Sequence, residues 1–413
     1  KTKDNLWKKK TATFLVSQCI TLFGSSIVQM AIIWYVTLQT SSGIWVTALT
    51  LCSFLPQMFI SFFAGVWADR YSRKGLIITA DTVIATSTLG LALFIMSGNT
   101  GENVLLAIIA VSVIRSLGTG LQMPAVNAMI PQLVPEDQLM RFNGINSSMM
   151  SVVQFAAPAV AGAILTLGSL DKILLIDVCT AVLGVTLLAC IKVSKHTAQV
   201  AEDLETPPFL AEMKAGIRYC FENKFVGKVL LTYGTFIFLC VPSGFLVTLM
   251  IKRTFGGNIW YLSVNEMVGC AGMVLGGLLL GAWGGFKNRN KTYALGMLCY
   301  GFFAILLGLV TQFWMFVAVM FFVSFFIPVV QTASMTMLQE KAAPEMQGRV
   351  FSLLNVMFSG FMPLGMAVFG PLADVVPIGW LMVGTGCTIG LLALSIPCDK
   401  DFFKKGILEA KDN

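Results

Sequence analysis

Twelve predominantly apolar stretches, each close to the length that crosses a bilayer, follow one another along the chain. They lie near residues 13 to 37, 45 to 67, 75 to 97, 104 to 130, 143 to 168, 172 to 191, 225 to 250, 259 to 284, 292 to 310, 312 to 338, 350 to 372 and 377 to 397. A spanning helix needs about 20 such residues, because each adds only about 1.5 Å of rise against a hydrocarbon core about 30 Å thick. In lipid every backbone N–H and C=O must find its partner within the protein, so a stretch of this kind folds as a helix. With 413 residues in all, twelve spans leave little chain for anything else. Charged residues make up 12% of the sequence, where ordinary soluble domains carry about 25%. The expected class is an all-α membrane protein with twelve transmembrane helices in two six-helix bundles, the divisions at 168 to 172 and 310 to 312 resting on very short turns.

Orientation follows from the basic residues, which concentrate in cytoplasmic loops. With an even number of spans and a cytoplasmic start, 24 of the 28 Lys and Arg fall on the inner side. The outer loops hold Lys172, Lys252 and Arg253, and Arg115 lies inside a span. Both termini are therefore expected in the cytoplasm of a bacterial cell, the protein being multi-pass in its inner membrane. The net charge of +7 is a topology signal that also suits anionic lipid headgroups, and it gives no reason to invoke nucleic acid. Lys8, Lys9 and Lys10 precede an apolar run too long for a signal peptide, which reads as the first span. Ten scattered cysteines form no C-x-x-C pair and read as free thiols packed as small apolar groups.

Residues 192 to 224 break the apolar pattern. A polar stretch, Glu202 to Pro208, precedes Phe209, Met213, Ile217 and Phe221, whose spacing of four places them on one helical face. The expected organisation is a first bundle over 1–191, a cytoplasmic linker with an amphipathic helix over 192–224, a second bundle over 225–398 and a cytoplasmic tail over 399–413. The halves echo one another. The stretch 131–136 ends in Pro135-Glu136 and 340–345 in Pro344-Glu345, each followed within six residues by an arginine, Arg141 and Arg349. Gly281 to Lys291 reads as a degraded copy of the turn between the second and third spans, keeping Gly281, Lys287 and Arg289 without an Asp-Arg pair.

That first turn runs Gly65-Val66-Trp67-Ala68-Asp69-Arg70-Tyr71-Ser72-Arg73-Lys74. It resembles the pattern G-x-x-x-D-R-x-G-R-[RK] of major facilitator superfamily transporters, with Ser72 at the second glycine. In that family the aspartate faces the start of the eleventh helix, here residues 349–351, and favours the outward-open state. The resemblance implies a gate made of Gly65, Asp69, Arg70, Arg73 and Lys74, a helix-end charge interaction being worth about 0.3 to 2 kcal/mol. The plain alternative is a positive-inside loop.

Inside the spans, ionisable residues are functional candidates by default. Arg115 sits about eleven residues into the fourth span, where an unpaired cation costs at least about 2.5 kcal/mol. The run Arg115 to Gly120 resembles the arginine-plus-glycine motif of proton-coupled facilitators, with its glycines one position out of register. A proton-relay or substrate-orienting role and a purely structural pairing both remain open. Asp81, Asp177 and Glu266 are the acids within spans. Asp81 is close enough in sequence to belong to the gate. Glu266, beside Asn265 and followed by Gly272, Gly276, Gly277 and Gly281, is the leading proton carrier or contact for a cationic substrate. In the fifth span Gln154 to Gly162 resembles the antiporter motif G-x-x-x-G-P-x-x-G-G through Pro158 and Gly162, with alanine at 157 and 161. Gln29, Met30, Trp34, Gln122, Met123, Tyr233, Phe236, Phe325 and Gln331 are candidates to line a wide apolar cavity with a few polar anchors, or are ordinary helix-packing residues.

Enzyme signatures are missing. Gly285 to Thr292 departs from a phosphate loop at Asn290, and the one histidine, His196, lies in the linker and rules out a His metal cluster or triad. No cofactor or metal is expected. Taken with Pro124 to Ala128, Leu133 to Glu136 and Pro344 to Val350, these runs are similar to the macrolide-efflux branch of drug:proton antiporters. A monomer is expected, and the resemblance implies export of a small lipophilic substrate in exchange for protons by alternating access. The alternative is another solute: a siderophore, a lipid-like molecule or a small nutrient.

Overall fold

The structure is a computed structural model and describes residues 2–134, 139–191, 218–219, 222–343 and 346–405, some helical side chains within these ranges excepted. The linker expected over 192–224 lies mostly outside them. The described regular structure is helical throughout, and ten of these helices are long and apolar enough to cross a membrane.

The chain divides into two compact units. The first, residues 1–40 and 48–203, contains α1 (Thr2–Thr40), all but the first turn of α2 (Gly43–Arg70), α3 (Arg73–Met96), α4 (Glu102–Leu133), α5 (Leu139–Leu167) and α6 (Leu170–Cys190). Within it α1 packs on α5 and α6, and α3 packs on α4 and α6. Pro158 is buried inside α5.

The second unit, residues 41–47 and 204–413, takes in the first turn of α2. Its other elements are α7 (Lys224–Leu239), α8 (Val241–Gly244), α9 (Val247–Phe255), α10 (Ile259–Trp283), α11 (Arg289–Leu309), α12 (Phe313–Lys341), α13 (Gln347–Val375), α14 (Ile378–Cys398) and α15 (Lys400–Lys405). The run 225 to 250, read from the sequence as one span, is thus three helices. Pro242, which has no N–H to donate, and Gly244 sit at the break. Counting α7 to α9 as one span, α11 packs on α12 and α14, and α7 packs on α13. These are the pairings that α3 makes with α4 and α6, and α1 with α5, in the first unit.

Small residues let membrane helices approach backbone to backbone. A Cβ on Gly301 of α11 would lie 2.7 Å from the Gly386 oxygen of α14, and one on Gly276 of α10 would overlap the Phe325 oxygen of α12. The glycines after Glu266 therefore include packing positions. All nine described cysteines are free.

Candidate functional site

Polar side chains inside an apolar bundle must satisfy one another, so the buried network of the first unit is the place to look for chemistry. Arg115 of α4 is buried and forms an ion pair with Asp177 of α6, Nη1 to Oδ2, at 2.5 Å. The same Nη1 donates to the Thr88 hydroxyl of α3, and Nη2 reaches the Ser25 carbonyl of α1 at 3.5 Å. Ser25 Oγ donates to Asp177 Oδ1 at 3.3 Å, and Thr88 Oγ1 donates to Oδ2 at 3.2 Å. Four helices thus meet on one charge pair, and both oxygens of Asp177 have donors.

Two turns away on the same α3 and α4 faces lies a second polar rung. Gln122 Nε2 donates to Asp81 Oδ1 at 2.6 Å. Asp81 is 1% exposed, and its Oδ2 has no hydrogen-bond partner among the described residues. Between the rungs Gly118 faces Ile84, whose Cγ1 would stand 2.6 Å from an added Cβ. Asp81, placed near the gate by sequence distance, is thus joined to Gln122, one of the residues read as a cavity anchor.

The turn from 65 to 74 is partly described. The side chains of Asp69 and Arg70, like that of Arg349, lie outside the described set, so the gate pairing falls there too. Arg73 Nη1 donates to the Ala128 carbonyl of α4 at 2.6 Å. Lys74 Nζ donates to the carbonyls of Ala189 and Ile191, at the end of α6, at 2.7 and 2.8 Å. Ser72 caps α3 by accepting the Gly75 N–H at 3.2 Å.

The turn after α10 repeats this plan. Counting from Gly65 and Gly281, Trp67 matches Trp283, Ser72 matches Asn288, Arg73 matches Arg289 and Lys74 matches Asn290, without a gap. Asn288 caps α11 by accepting the Asn290 N–H at 3.0 Å. Arg289 pairs with Glu340 near the end of α12 at 3.2 Å. Asn288 and Asn290 donate to the carbonyls of Phe403 and Phe402, just past α14, at 3.0 and 2.7 Å. Asp69 and Arg70 correspond to Gly285 and Phe286, so the second copy keeps the anchors and lacks the charged pair.

In the second unit Glu266 is half-buried on α10 and has no ion pair or hydrogen bond among the described residues, while neighbouring Asn265 is buried with its Oδ1 unpartnered. Trp34, Tyr233 and Phe236 are buried within their own units, Phe236 edge-on to Tyr300 at 5.0 Å. Phe325 is half-buried, Gln29 and Met30 are intermediate, and Met123 and Gln331 are exposed. Gly162 is buried in α5.

Sequence reasoning missed a cluster at the ends of α9 and α13. Asp374 accepts hydrogen bonds from the Ser42 hydroxyl, the Gly43 and Ile44 N–H groups and Arg253. Arg253 also donates to the carbonyls of Ser41 and Ala373. The only signal in the sequence is an acid two residues beyond an apolar run.

Comparison with known proteins places the chain in a family. The model described as Major Facilitator Superfamily matches residues 14–366 and, in a second match, 259–398. Macrolide efflux protein A of Streptococcus pyogenes is 33% identical over 399 residues, covering 96% of this chain and 97% of that protein. Macrolide efflux protein A of Enterococcus faecalis is 32% identical over 325 residues, covering 78% of this chain and 98% of that one. Among solved structures, a bacterial homolog of the human lysosomal transporter Spinster aligns with a TM-score of 0.70 over 98% of this chain and 99% of its own, at 14% identity. At that identity the likeness concerns the fold.

Proposed function

This chain belongs to the major facilitator superfamily, and we propose that within it the protein is a secondary active exporter of lipophilic, macrolide-like drugs driven by proton antiport. It is a multi-pass membrane transporter. The observation that carries the export reading is the similarity to the streptococcal macrolide efflux protein along nearly the whole length of both chains. The acids and the arginine inside the helices supply the groups that proton coupling requires.

The roles are divided by environment. The Arg115–Asp177 pair, with both carboxylate oxygens engaged, is a fixed charge pair that orders α1, α3, α4 and α6. Glu266, half-buried and without a described partner, is the contact for the cationic amine that many lipophilic drugs carry. Alternating access then exposes the drug to one side of the membrane and the other in turn, in the bacterial inner membrane with both termini cytoplasmic. The driving force suffices. A potential of about 100 mV is worth about 2.3 kcal/mol per charge, and about 1.4 kcal/mol is tenfold, so one charge per cycle sustains a gradient of about 45-fold before any pH difference.

The test is accumulation of radiolabelled erythromycin in a drug-susceptible bacterium expressing the protein, with and without a protonophore. Lower accumulation that the protonophore restores is the expected result. Accumulation equal to that of cells without the protein overturns the export reading, and low accumulation indifferent to the protonophore overturns the proton part.

A further inference from the structure

We propose that Asp81 is the carboxyl group that takes up and releases the counter-transported proton. The inference rests on the export reading and assigns its coupling step to one atom, Oδ2 of Asp81. It starts from the ladder between α3 and α4. Asp81, Ile84 and Thr88 on α3 stand opposite Gln122, Gly118 and Arg115 on α4. Seven residues of helix separate the end rungs, about 10 Å along the axis.

The two acids of this interior differ in how they are held. Asp177 has donors on both oxygens and a guanidinium against one of them. Asp81 has one neutral donor, the Gln122 amide on Oδ1, and an equally buried Oδ2 with no partner among the described residues. A bare carboxylate oxygen in such a place loses its hydration without replacement. A proton on Oδ2 removes the charge and leaves Oδ1 as the carbonyl oxygen that accepts from Gln122.

The charged groups around Asp81 are consistent with this role. The helices packed on α3 are α4 and α6. From α4 come Gln122 and Arg115, and Arg115 is committed to Asp177 beyond the Ile84 and Gly118 rung. From α6 comes Asp177, whose charge is balanced by Arg115. A metal cation would require several oxygen ligands, whereas one orphan oxygen and one amide suit a proton. The step is a proton transfer alone: an O–H bond forms at Oδ2 from a hydronium ion on one side and breaks to water on the other, and no bond of the drug changes.

Purified wild-type protein in detergent treated with dicyclohexylcarbodiimide, which modifies protonated buried carboxyl groups, provides the direct test by peptide mass spectrometry. Asp81 is expected to be modified and Asp177 left unmodified, equally in sodium chloride and choline chloride. Protection by sodium reassigns the site to a metal ion and overturns the proposal, as does an unmodified Asp81. In proteoliposomes, Asp81→Asn is expected to lose pH-driven erythromycin uptake at least tenfold more than erythromycin counterflow, with part of the loss restored in Asp81→Glu. Driven uptake equal to wild type in Asp81→Asn overturns the proposal. If the asparagine variant fails to fold, the labelling result decides. If wild type moves no erythromycin, the export reading fails while the labelling still judges Asp81.

Discussion

The carboxylate of Asp374 stands where an N-cap side chain would stand for α2, accepting the N–H of Gly43 at 2.6 Å from 331 positions further along the chain. It lies beyond the apolar run of α13. Burial raises its proton affinity, but the N–H groups of Gly43 and Ile44, the Ser42 hydroxyl and Arg253 outweigh that effect and hold the carboxyl below its ordinary value. A lowered acid contributes stability above the ordinary aspartate value of about 3.9 and loses it only as pH falls through the lowered one. Asp374→Asn is therefore expected to cost about 1 to 2 kcal/mol, the sum of a cap and a partly exposed ion pair, read as the same drop in melting temperature at pH 7 and pH 5. A gap that closes between those two pH values contradicts the assignment.

Breaking the Arg115–Asp177 pair from one side leaves a buried charge behind. Asp177→Asn or Arg115→Leu alone is expected to destabilise the protein by about 3 to 5 kcal/mol. The double variant Arg115→Leu with Asp177→Leu should recover folded protein on size-exclusion chromatography, because two apolar groups satisfy the same space. Recovery no better than in the single variants would show that the pair does more than balance charge.

The contact between α10 and α12 makes a contrast within one helix. An alanine at Gly276 drives a methyl into the Phe325 carbonyl, whereas one at Gly281 meets nothing within 4 Å. Gly276→Ala is expected to lose about 1 to 3 kcal/mol by overpacking and Gly281→Ala to stay near wild type, measured by thermal unfolding of the two proteins side by side.

Glu266 as a drug contact makes a prediction about charge rather than coupling. Glu266→Gln should weaken binding of cationic erythromycin by up to about 5-fold, the scale of a partly exposed ion pair, and leave the number of protons exchanged per drug unchanged. Scintillation proximity binding measures the first, and a pH-sensitive dye in proteoliposomes the second. Unaltered affinity removes Glu266 from the binding site.

The sequence and the structure agree where the physics is local. Apolar length marks helices, because spans are written in contiguous residues. The three-helix break at Pro242 and Gly244 passed unseen because hydropathy has no term for backbone geometry. Partners were the harder part. Arg115, Asp177, Asp81 and Gln122 were each visible as polar residues in apolar runs, yet nothing in one sequence says that 115 meets 177 and 122 meets 81. The seven-residue spacings of 81 to 88 and 115 to 122 were the available signal, since they place each pair on one helix face. Asp374 gave no such signal, being an acid at a helix end like many others.

The second copy of the turn has a practical corollary for anyone attaching a reporter to this transporter. In the first unit the anchoring carbonyls, those of Ala189 and Ile191, belong to the end of α6 itself. In the second they belong to Phe402 and Phe403, in a helix of six residues that is held by Asp399 at its start and by Lys228, whose Nζ meets Asp399 at 2.5 Å and sits 4.9 Å over the Phe402 ring. Residues 400 to 405 are thus a structural component of the bundle rather than spare tail. A fluorescent protein joined at Cys398 would amputate the anchor of α11, while a fusion that keeps residues 400 to 405 would retain it.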